Sequence, residues 1–552
     1  MHPSWACASS ASRKPNRYQR MDTTVENLSL LERIGQVLCF GWQGDTSEEA
    51  RTVNAHARAL VREMQVGGVV LLGRNVDPAN PQQIRHTLAE LQRLSRIPLF
   101  IAIDQEGGTV NRLRAPFHEF PGNMALGATR NPDYACRQAQ VQARELLALG
   151  INWNFAPVMD VNNNPDNPII GVRSYGADPE LVAQMGTAAI RGYQQTGLLA
   201  CAKHFPGHGD TSVDSHLALP VIPGDRQRLE SVELVPFRAA IAAGVGAIMT
   251  THILFPALDA ERPATLSRNI LTGLLREQLG YNGLVITDCL EMKAIADTVG
   301  TARGAVEALK AGADMVLIGH TLEVQRAAVQ AIREAVDSGD LPEERLNEAV
   351  SRVLAAKCRF LSALSPPEGE PWWNPEHDAL EQEIVRASIT VVRSAPNEGY
   401  RLRKGERVAV VSAHHSLPRL AEEIRRYQPD VLVVQLEPTL PEEQVRQALQ
   451  KVASAGQCLV ATSPPEQWSN TPIDQTKQAE LVRALHQQFG ERLIVVALRE
   501  PYDIRRFPEV ENYLCTYGYR PCSLRALADA LFGQFVPTGK IPVGDGDAST
   551  VC

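Results

Sequence analysis

The segment from Lys203 to His216, KHFPGHGDTSVDSH, is dense in groups that can bind metals or transfer protons. Pro206, Gly207 and Gly209 interrupt it and disfavour a regular helix, because proline lacks a backbone N–H donor and glycine is conformationally permissive. We therefore expect an irregular loop. Its imidazole and carboxylate side chains are those of His204, His208, Asp210, Asp214 and His216.

Two chemistries are compatible with this loop. One is a metal site with His204, His208 and His216 as ligands. It is disfavoured because no two of these histidines share a helix face in a segment broken by glycine and proline. The other is a dyad in which Asp214 orients His216 and raises its basicity, so that the imidazole donates and accepts protons near neutral pH. We favour the dyad and expect neither a metal nor a cofactor.

Charged residues also follow other apolar runs along the chain. Asp104 ends PLFIAID, with Arg112 beyond the next glycines, and Arg173 lies in a long loop after INWNFAP. Lys203 and His204 end LLACAKH, and Asp288 ends GLVITD. An Asp after a strand often caps the following helix, so that interpretation of Asp288 competes with a role as nucleophile.

Eight short apolar runs alternate with amphipathic helical patterns, as expected for βα units around a parallel sheet. Runs without polar alternation are typical of strands buried on both faces, and eight such strands close a (β/α)8 barrel. Catalytic groups of such barrels lie at the carboxyl ends of the strands, where the charged residues occur. The runs begin at Gln36, Gly67, Pro98, Ile151, Leu198, Gly246, Gly283 and Asp314.

The remaining chain predicts further units. The first amphipathic pattern begins at Val25, so we expect a loose tail over residues 1–24, the barrel over 25–361 and a Pro-rich linker over 362–380. In the linker, Trp372 and Trp373 are predicted to pack between domains. Residues 381–552 contain five further apolar runs separated by helices, which predict a smaller, doubly wound α/β domain packed as a layered sandwich.

Composition argues against several classes of partner. The chain has 552 residues, with 55 Lys and Arg against 63 Asp and Glu and no dense basic run, so nucleic-acid binding is not expected. No apolar stretch approaches the roughly 20 residues that a membrane-spanning helix needs, and no hydrophobic signal segment begins the chain. The ten cysteines include no CxxC pair. We therefore expect a cytoplasmic protein.

The joint pattern of KHFPGHGDTSVDSH, IDQEGG upstream and ITDCLEMKAI downstream resembles glycoside hydrolase family 3, and within it the β-N-acetylglucosaminidases. The similarity extends from Leu28 to about Phe360. In the second domain, VVALREPYDI and ALFGQFVPTGKIPV are similar to the carboxy-terminal α/β domain of the longer members. Two departures occur, with Thr109 where relatives commonly have Arg, and Cys289 after the proposed nucleophile.

The resemblance implies a role for each site residue. By position, Asp288 is the nucleophile, and His216 assisted by Asp214 is the general acid/base. The residues that would hold the sugar are Asp104, Arg112, Arg173, Lys203 and His204.

The expected activity is that of a retaining exo-β-N-acetylglucosaminidase that acts through a covalent glycosyl-enzyme, on small N-acetylglucosaminides such as muropeptides or chitooligosaccharides. A role in peptidoglycan turnover would fit. The alternatives are a β-N-acetylglucosaminide phosphorylase, because a neutral histidine repels phosphate less than a carboxylate does, and a β-glucosidase of the same family. The sequence leaves the oligomeric state open.

Overall fold

Eight parallel strands close into a barrel in the amino-terminal part of the chain. The computed structural model describes residues 24–212, 219–362, 369–397, 399–464 and 472–544. Each barrel strand pairs with its chain neighbours and the last pairs with the first, so the predicted (β/α)8 barrel is confirmed. The strands are β1 (Leu38–Phe40), β2 (Gly68–Leu71), β3 (Phe100–Ile103), β4 (Trp153–Asn154), β5 (Leu199–Phe205), β6 (Ala247–Thr250), β7 (Leu284–Cys289) and β8 (Met315–Ile318).

Large apolar side chains fill the barrel interior. The Phe100 and Trp153 rings contact each other at a centroid distance of 5.1 Å. The helix Glu343–Leu361 covers the amino-terminal end, where Phe360 packs beside Gly246 at the start of β6. The opposite end of the barrel carries the charged residues Asp104, Lys203 and Asp288 at the carboxyl ends of the strands, which is where barrels of this type bind their ligands.

Helices surround the barrel and follow the local signals expected from the sequence. Pro132–Leu149 begins where the Asn131 side chain accepts the Asp133 N–H, and it ends at Gly150 in the left-handed region with φ 92°. No helix among the described residues is both long and apolar enough to cross a membrane. The helices of this part are Leu30–Gln36, Ser47–Ala50, Ala55–Arg58, Pro81–Leu94, Asn123–Thr129, Pro132–Leu149, Pro179–Gln195, Arg226–Ser231, Leu234–Ala242, Lys293–Ala296, Thr301–Ala311, Leu322–Asp337 and Glu343–Leu361, with π-type helical turns over Ala59–Glu63 and Asn269–Gln278.

A six-stranded sheet forms the core of the second domain. Its strands are β9 (Thr390–Arg393), β10 (Val408–Ser412), β11 (Val431–Gln435), β12 (Gln457–Thr462), β13 (Leu493–Ala497) and β14 (Tyr513–Cys515). Their order is β9-β14-β13-β12-β10-β11, and all pairs are parallel except β9 with β14. The five predicted strands are confirmed, whereas β14 was not predicted. The flanking helices are Pro375–Ser388, Leu417–Arg425, Glu442–Val452, Gln475–Phe489 and Pro521–Leu531.

The described part of the connection between the two domains, residues 369–380, is more ordered than its proline content predicts. The helix Pro375–Ser388 crosses the boundary expected at residue 380, because Asn374 caps it and Pro375 occupies its first turn. Trp372 is buried, and its ring lies 5.0 Å from that of Phe117 in the barrel domain, as predicted. The prediction for Trp373 was wrong, since that side chain is 67% exposed.

The closed end of the barrel contains a buried lysine. The Lys357 Nζ donates to Gln36 Oε1 at 2.7 Å and lies 5.6 Å from the centre of the Phe100 ring. Burial lowers the pKa of Lys357 to about 7 by removing water from around the ammonium, and the nearby Cys39 thiol opposes this effect only in part.

Candidate active site

Lys203 connects the carboxyl ends of β5 and β3. Its Nζ lies 2.7 Å from Asp104 Oδ1, directly after β3, and 2.7 Å from Glu106 Oε1. Burial alone would lower the pKa of Lys203, but the two carboxylates raise it overall. The ammonium is therefore charged at neutral pH, although its side chain is only 2% exposed.

Arg173 approaches the same carboxylate from the loop after β4. It ends a short 3₁₀ turn, Gly171–Arg173, and forms a two-point ion pair with Glu106. The Arg173 Nε lies 2.9 Å from Glu106 Oε2, and the Arg173 Nη2 lies 2.9 Å from Glu106 Oε1. Burial alone would raise the pKa of Glu106, but the charges of Arg173 and Lys203 hold it well below its ordinary range.

Glu106 is the main member of this cluster that was not predicted from the sequence. Arg112, Arg173 and Lys203 were expected to hold the sugar, whereas the buried Glu106 carboxylate pairs with two of these three cations. A signal was available, because Asp104 and Glu106 are two residues apart in extended chain, and alternate residues of extended chain point to the same side. Asp104, of which 21% of the side chain is exposed, is the more accessible carboxylate.

Arg112 follows a short antiparallel hairpin formed by Gln105–Gly107 and Val110–Asn111. The Gln105 side-chain oxygen accepts the N–H groups of Arg112 and Leu113 at 2.8 and 3.0 Å, which fixes the backbone at this point. The Arg112 Nε is buried and has no hydrogen-bond partner within the described part of the chain. A buried donor without a protein partner is suited to a bound polar ligand.

His204 is held by a carboxylate behind it. Its Nδ1 lies 2.8 Å from Asp160 Oδ2, and Asp160 Oδ1 accepts the N–H groups of His204 and His208 at 3.1 and 2.8 Å. Burial alone would raise the pKa of Asp160, but the histidines lower it overall. Burial, together with the charge of His204, lowers the pKa of His208 to about 4, so this imidazole is neutral at pH 7. Asp160 therefore sets the orientation of His204.

Asp288 lies at the carboxyl end of β7 and is partly exposed. Its Oδ1 accepts the N–H of Cys289 at 2.7 Å. The next helix, Lys293–Ala296, begins after Met292, so Asp288 does not cap it. The interpretation of this residue as a helix cap was wrong.

The strands β3, β5 and β7 each carry a charged residue at the carboxyl end, namely Asp104, Lys203 and Asp288. The buried Cys201 thiol lies inside the barrel, two residues before Lys203. Burial raises its pKa, Lys203 opposes the rise, and the carboxylates of Asp104 and Asp288 add to it. Because the barrel strands are parallel, Asp104 after β3 and Asp288 at the end of β7 lie at the same end of the barrel.

The sequence-predicted dyad, Asp214 and His216, lies outside the described residues. The start of the loop is described up to residue 212, and there Asp210 Oδ2 lies 2.6 Å from Arg228 Nη2. This ion pair joins the loop to the helix Arg226–Ser231. The loop therefore begins at the carboxyl end of β5, beside the cluster formed by Asp104, Glu106 and Lys203.

Within the described ranges, one group of three residues has the side chains and spacing to hold a metal, namely Cys289, Glu291 and His320. Glu291 already accepts the N–H groups of His320 and Thr321, at 2.7 and 3.0 Å. The guanidinium of Arg74 lies 2.9 Å from His320 Nδ1 and places a positive charge against any cation. The group therefore serves to join the ends of β7 and β8.

Taken together, the site can hold an uncharged polar ligand. Asp104 offers oxygen acceptors, Arg112 and Lys203 offer donors, and Asp288 adds a carboxylate at the same end of the barrel. Hydrogen bonds in which one partner is charged are stronger than neutral ones, and such donors and acceptors recognise hydroxyl and amide groups.

Comparisons with known proteins agree with this geometry. Residues 28–356 match the model of the glycosyl hydrolase family 3 N terminal domain. Beta-hexosaminidase A of Pseudoalteromonas piscicida is 32% identical over 91% of this chain and 92% of its own length. Beta-N-acetylglucosaminidase/beta-glucosidase of Cellulomonas fimi is 30% identical over 94% of both chains.

A solved structure is similar over both domains. The structure of a glycoside hydrolase family 3 beta-N-acetylglucosaminidase from Paenibacillus sp. str. FPU-7 superposes with a TM-score of 0.85 at 40% sequence identity. The match covers 94% of this chain and 99% of that chain. The similarity therefore extends over the barrel and the second domain.

Proposed function

The chain belongs to glycosyl hydrolase family 3 and is a glycoside hydrolase, and on this premise we propose that it removes terminal non-reducing β-linked N-acetylhexosamine residues. The observation that carries the substrate class is the similarity over both domains to proteins named for this activity. The charged and polar side chains at the carboxyl end of the barrel support it, because a sugar is recognised through its hydroxyl and acetamido groups.

The proposed reaction has two steps and consumes one water molecule. In the first step, the Asp288 carboxylate attacks the anomeric carbon, the glycosidic bond breaks, and His216 transfers a proton to the leaving oxygen. In the second step, His216 removes a proton from water, whose oxygen attacks the anomeric carbon and releases Asp288. The sugar is released in the β configuration, because the carbon is inverted twice.

We assign Asp214 the role of orienting His216. A carboxylate beside an imidazole fixes its tautomer and favours the protonated form, which is the form needed in the first step. The buried Asp160 has this relationship to His204 in the described part of the site. The proposed roles of Asp214 and His216 follow from their place in the motif KHFPGHGDTSVDSH.

We further propose that the sugar is bound by Asp104, Arg112, Lys203, His204 and Arg173. Asp104 and Lys203 form one polar wall, and the partly exposed Arg112 side chain supplies a further donor for a ligand oxygen. Arg173 is already paired with Glu106 through two nitrogens, so its main effect is on the shape and charge of the pocket. The substrate class includes chitooligosaccharides and muropeptides, and the latter would connect the enzyme with peptidoglycan turnover in the cytoplasm.

The test is hydrolysis of 4-nitrophenyl β-N-acetylglucosaminide beside the matching β-glucoside and β-xyloside. We expect the N-acetyl substrate to have the highest kcat/KM, and NMR to detect the β-anomer of N-acetylglucosamine first. Assays with and without phosphate should give the free sugar in both cases. A sugar 1-phosphate as the main product would indicate a phosphorylase, and a preference for the glucoside would indicate a β-glucosidase.

A further inference from the structure

The turn that carries Arg173 is held by a carboxylate from the second domain. Glu500 follows β13 and is buried, and its Oε1 accepts the N–H of Val172 at 2.9 Å. We infer that Glu500 is a positioning residue of the active site, which fixes the turn Gly171–Arg173 and thereby the Arg173 guanidinium. This inference rests on the proposed function insofar as it concerns sugar binding.

The contact between Glu500 and the turn is close. Gly171 has φ 43°, in the left-handed region, and a Cβ at this position would lie 1.9 Å from Glu500 Oε1. A glycine is needed here on both grounds, since other side chains would be strained and would collide with the carboxylate. The position of the turn Gly171–Arg173 relative to the Glu500 carboxylate is therefore closely defined.

A second residue of the same segment supports the turn from another side. The Tyr502 hydroxyl accepts a hydrogen bond from Asn162 Nδ2 at 2.8 Å, and Asn162 Oδ1 accepts the N–H of Gly171 at 3.2 Å. Two consecutive backbone N–H groups of the turn thus depend on residues that are positioned by the second domain. Buried backbone donors need such partners, because an unpaired one destabilises the folded state.

The effect of Glu500 reaches the sugar pocket through Arg173. The two-point pair with Glu106 requires the guanidinium and the carboxylate to lie in one plane, and Glu106 in turn contacts Lys203. A freed turn would let the guanidinium rotate away from this plane, and Glu106 would draw Lys203 away from Asp104. We therefore expect weaker binding of the sugar when Glu500 is truncated.

The competing explanation is that Glu500 only holds the two domains together. The chain offers a matched control in Glu383, whose carboxylate accepts from the Tyr134 hydroxyl at 3.0 Å and lies 3.4 Å from Arg137. This residue of the helix Pro375–Ser388 also connects the second domain to a barrel helix. In the described part of the chain it makes no hydrogen bond or ion pair with the turn Gly171–Arg173.

The experiment compares Glu500→Ala, Glu500→Gln and Glu383→Ala with the parent enzyme. For Glu500→Ala we expect KM for 4-nitrophenyl β-N-acetylglucosaminide to rise about tenfold, with a smaller change in kcat. Glu500→Gln keeps an oxygen for the Val172 N–H, so its KM should stay within about twofold of the parent value. Glu383→Ala should leave KM unchanged.

Hydrogen exchange of the backbone amides in residues 169–175 provides a readout that needs no substrate. Exchange should be faster in Glu500→Ala and unchanged in Glu383→Ala. If the parent enzyme did not hydrolyse the N-acetyl substrate while this exchange pattern held, the proposed function would fail and the positioning of the turn would stand.

Unchanged exchange in a folded Glu500→Ala enzyme, or equal changes of KM in Glu500→Ala and Glu383→Ala, would overturn the inference. If Glu500→Ala did not fold, Tyr502→Phe would decide, because it removes only one hydroxyl. It should raise KM about threefold and accelerate exchange at Gly171. No change in either quantity would overturn the inference.

Discussion

Arg173 and Glu106 form a two-point ion pair that is buried at the mouth of the barrel, with both nitrogen–oxygen distances at 2.9 Å. Glu106 also contacts Lys203, so one carboxylate compensates two cations. The stability of the folded enzyme and the shape of the proposed sugar pocket therefore depend on the same residue.

Replacement of Glu106 by Gln should lower the free energy of unfolding by about 3 kcal/mol at pH 7, because it leaves the buried Arg173 without its carboxylate and leaves Lys203 with Asp104 alone. Glu106 has a lowered pKa in the folded state, so its stabilising contribution is present above the ordinary carboxyl pKa of about 4.3 and is lost as the pH falls below it. The free energies of unfolding of parent and variant, measured by urea titration at several pH values, should therefore converge in acid. A difference in unfolding free energy between parent and variant that stays constant with pH would contradict this expectation.

Arg112→Ala should raise KM about tenfold and leave the free energy of unfolding nearly unchanged, because the buried Arg112 Nε has no partner within the described residues. Arg173→Ala should raise KM and also lower stability, since it unpairs Glu106. Kinetics and thermal unfolding of both variants separate the two effects. A large loss of stability in Arg112→Ala would assign this residue to the scaffold.

Asp288→Ala should reduce kcat by at least about 10³-fold on every glycoside, because the first step then lacks its nucleophile. Its thermal unfolding should match that of the parent, since Asp288 is partly exposed and caps no helix. A 2-deoxy-2-fluoro glycoside should label the parent enzyme at Asp288, as read by mass spectrometry of peptides. A label on another carboxylate would refute the assignment.

His216→Ala should slow glycosides with poor leaving groups far more than activated aryl glycosides, because a good leaving group departs without protonation. Asp214→Ala should give part of the same pattern, since the imidazole remains but is less basic and less well oriented. The measurement is kcat/KM for a series of aryl glycosides of graded phenol pKa. An equal loss for all members of the series would mean that both residues only hold the loop.

Lys357→Met should raise the free energy of unfolding by about 2 kcal/mol at pH 6, because the folded protein no longer buries an ammonium. The pKa of Lys357 is lowered to about 7 in the folded state, against about 10.4 when unfolded, so the parent protein gains stability as the pH rises between these values. The advantage of the variant should therefore shrink from pH 7 to pH 10. If the stability difference between Lys357→Met and the parent grew with pH, the lowered pKa of Lys357 would be contradicted.

The barrel was predictable from the sequence because its strands are buried on both faces and form uninterrupted apolar runs. The strand Tyr513–Cys515 was not, since three residues between polar segments carry too little pattern. Trp373 was predicted to be buried from its type alone, but only one ring of the Trp pair fits beside Phe117.

The site was predictable only in part, because its members come from distant segments. The charged residues at strand ends indicated which face of the barrel to consider, and Asp104 and Lys203 do meet there. The spacing of Glu106 from Asp104 indicates only that both side chains point to the same side, and the burial of Glu106 follows from contacts with residues 67 and 97 positions away. The contact of Glu500 with Val172 spans 328 positions and has no local signal.

The last described segment of the second domain also runs along the barrel. The Ala128 carbonyl accepts the N–H of Lys540 at 2.8 Å, the Ile541 carbonyl accepts from Arg130, and the Pro542 carbonyl accepts the N–H of Ala177. A chimera that exchanged the second domain for that of another family member would therefore need to preserve these hydrogen bonds of residues 540–542 together with Glu500 and Tyr502. A chimera joined at the linker without these residues would combine a barrel and a second domain whose contacting surfaces are not complementary.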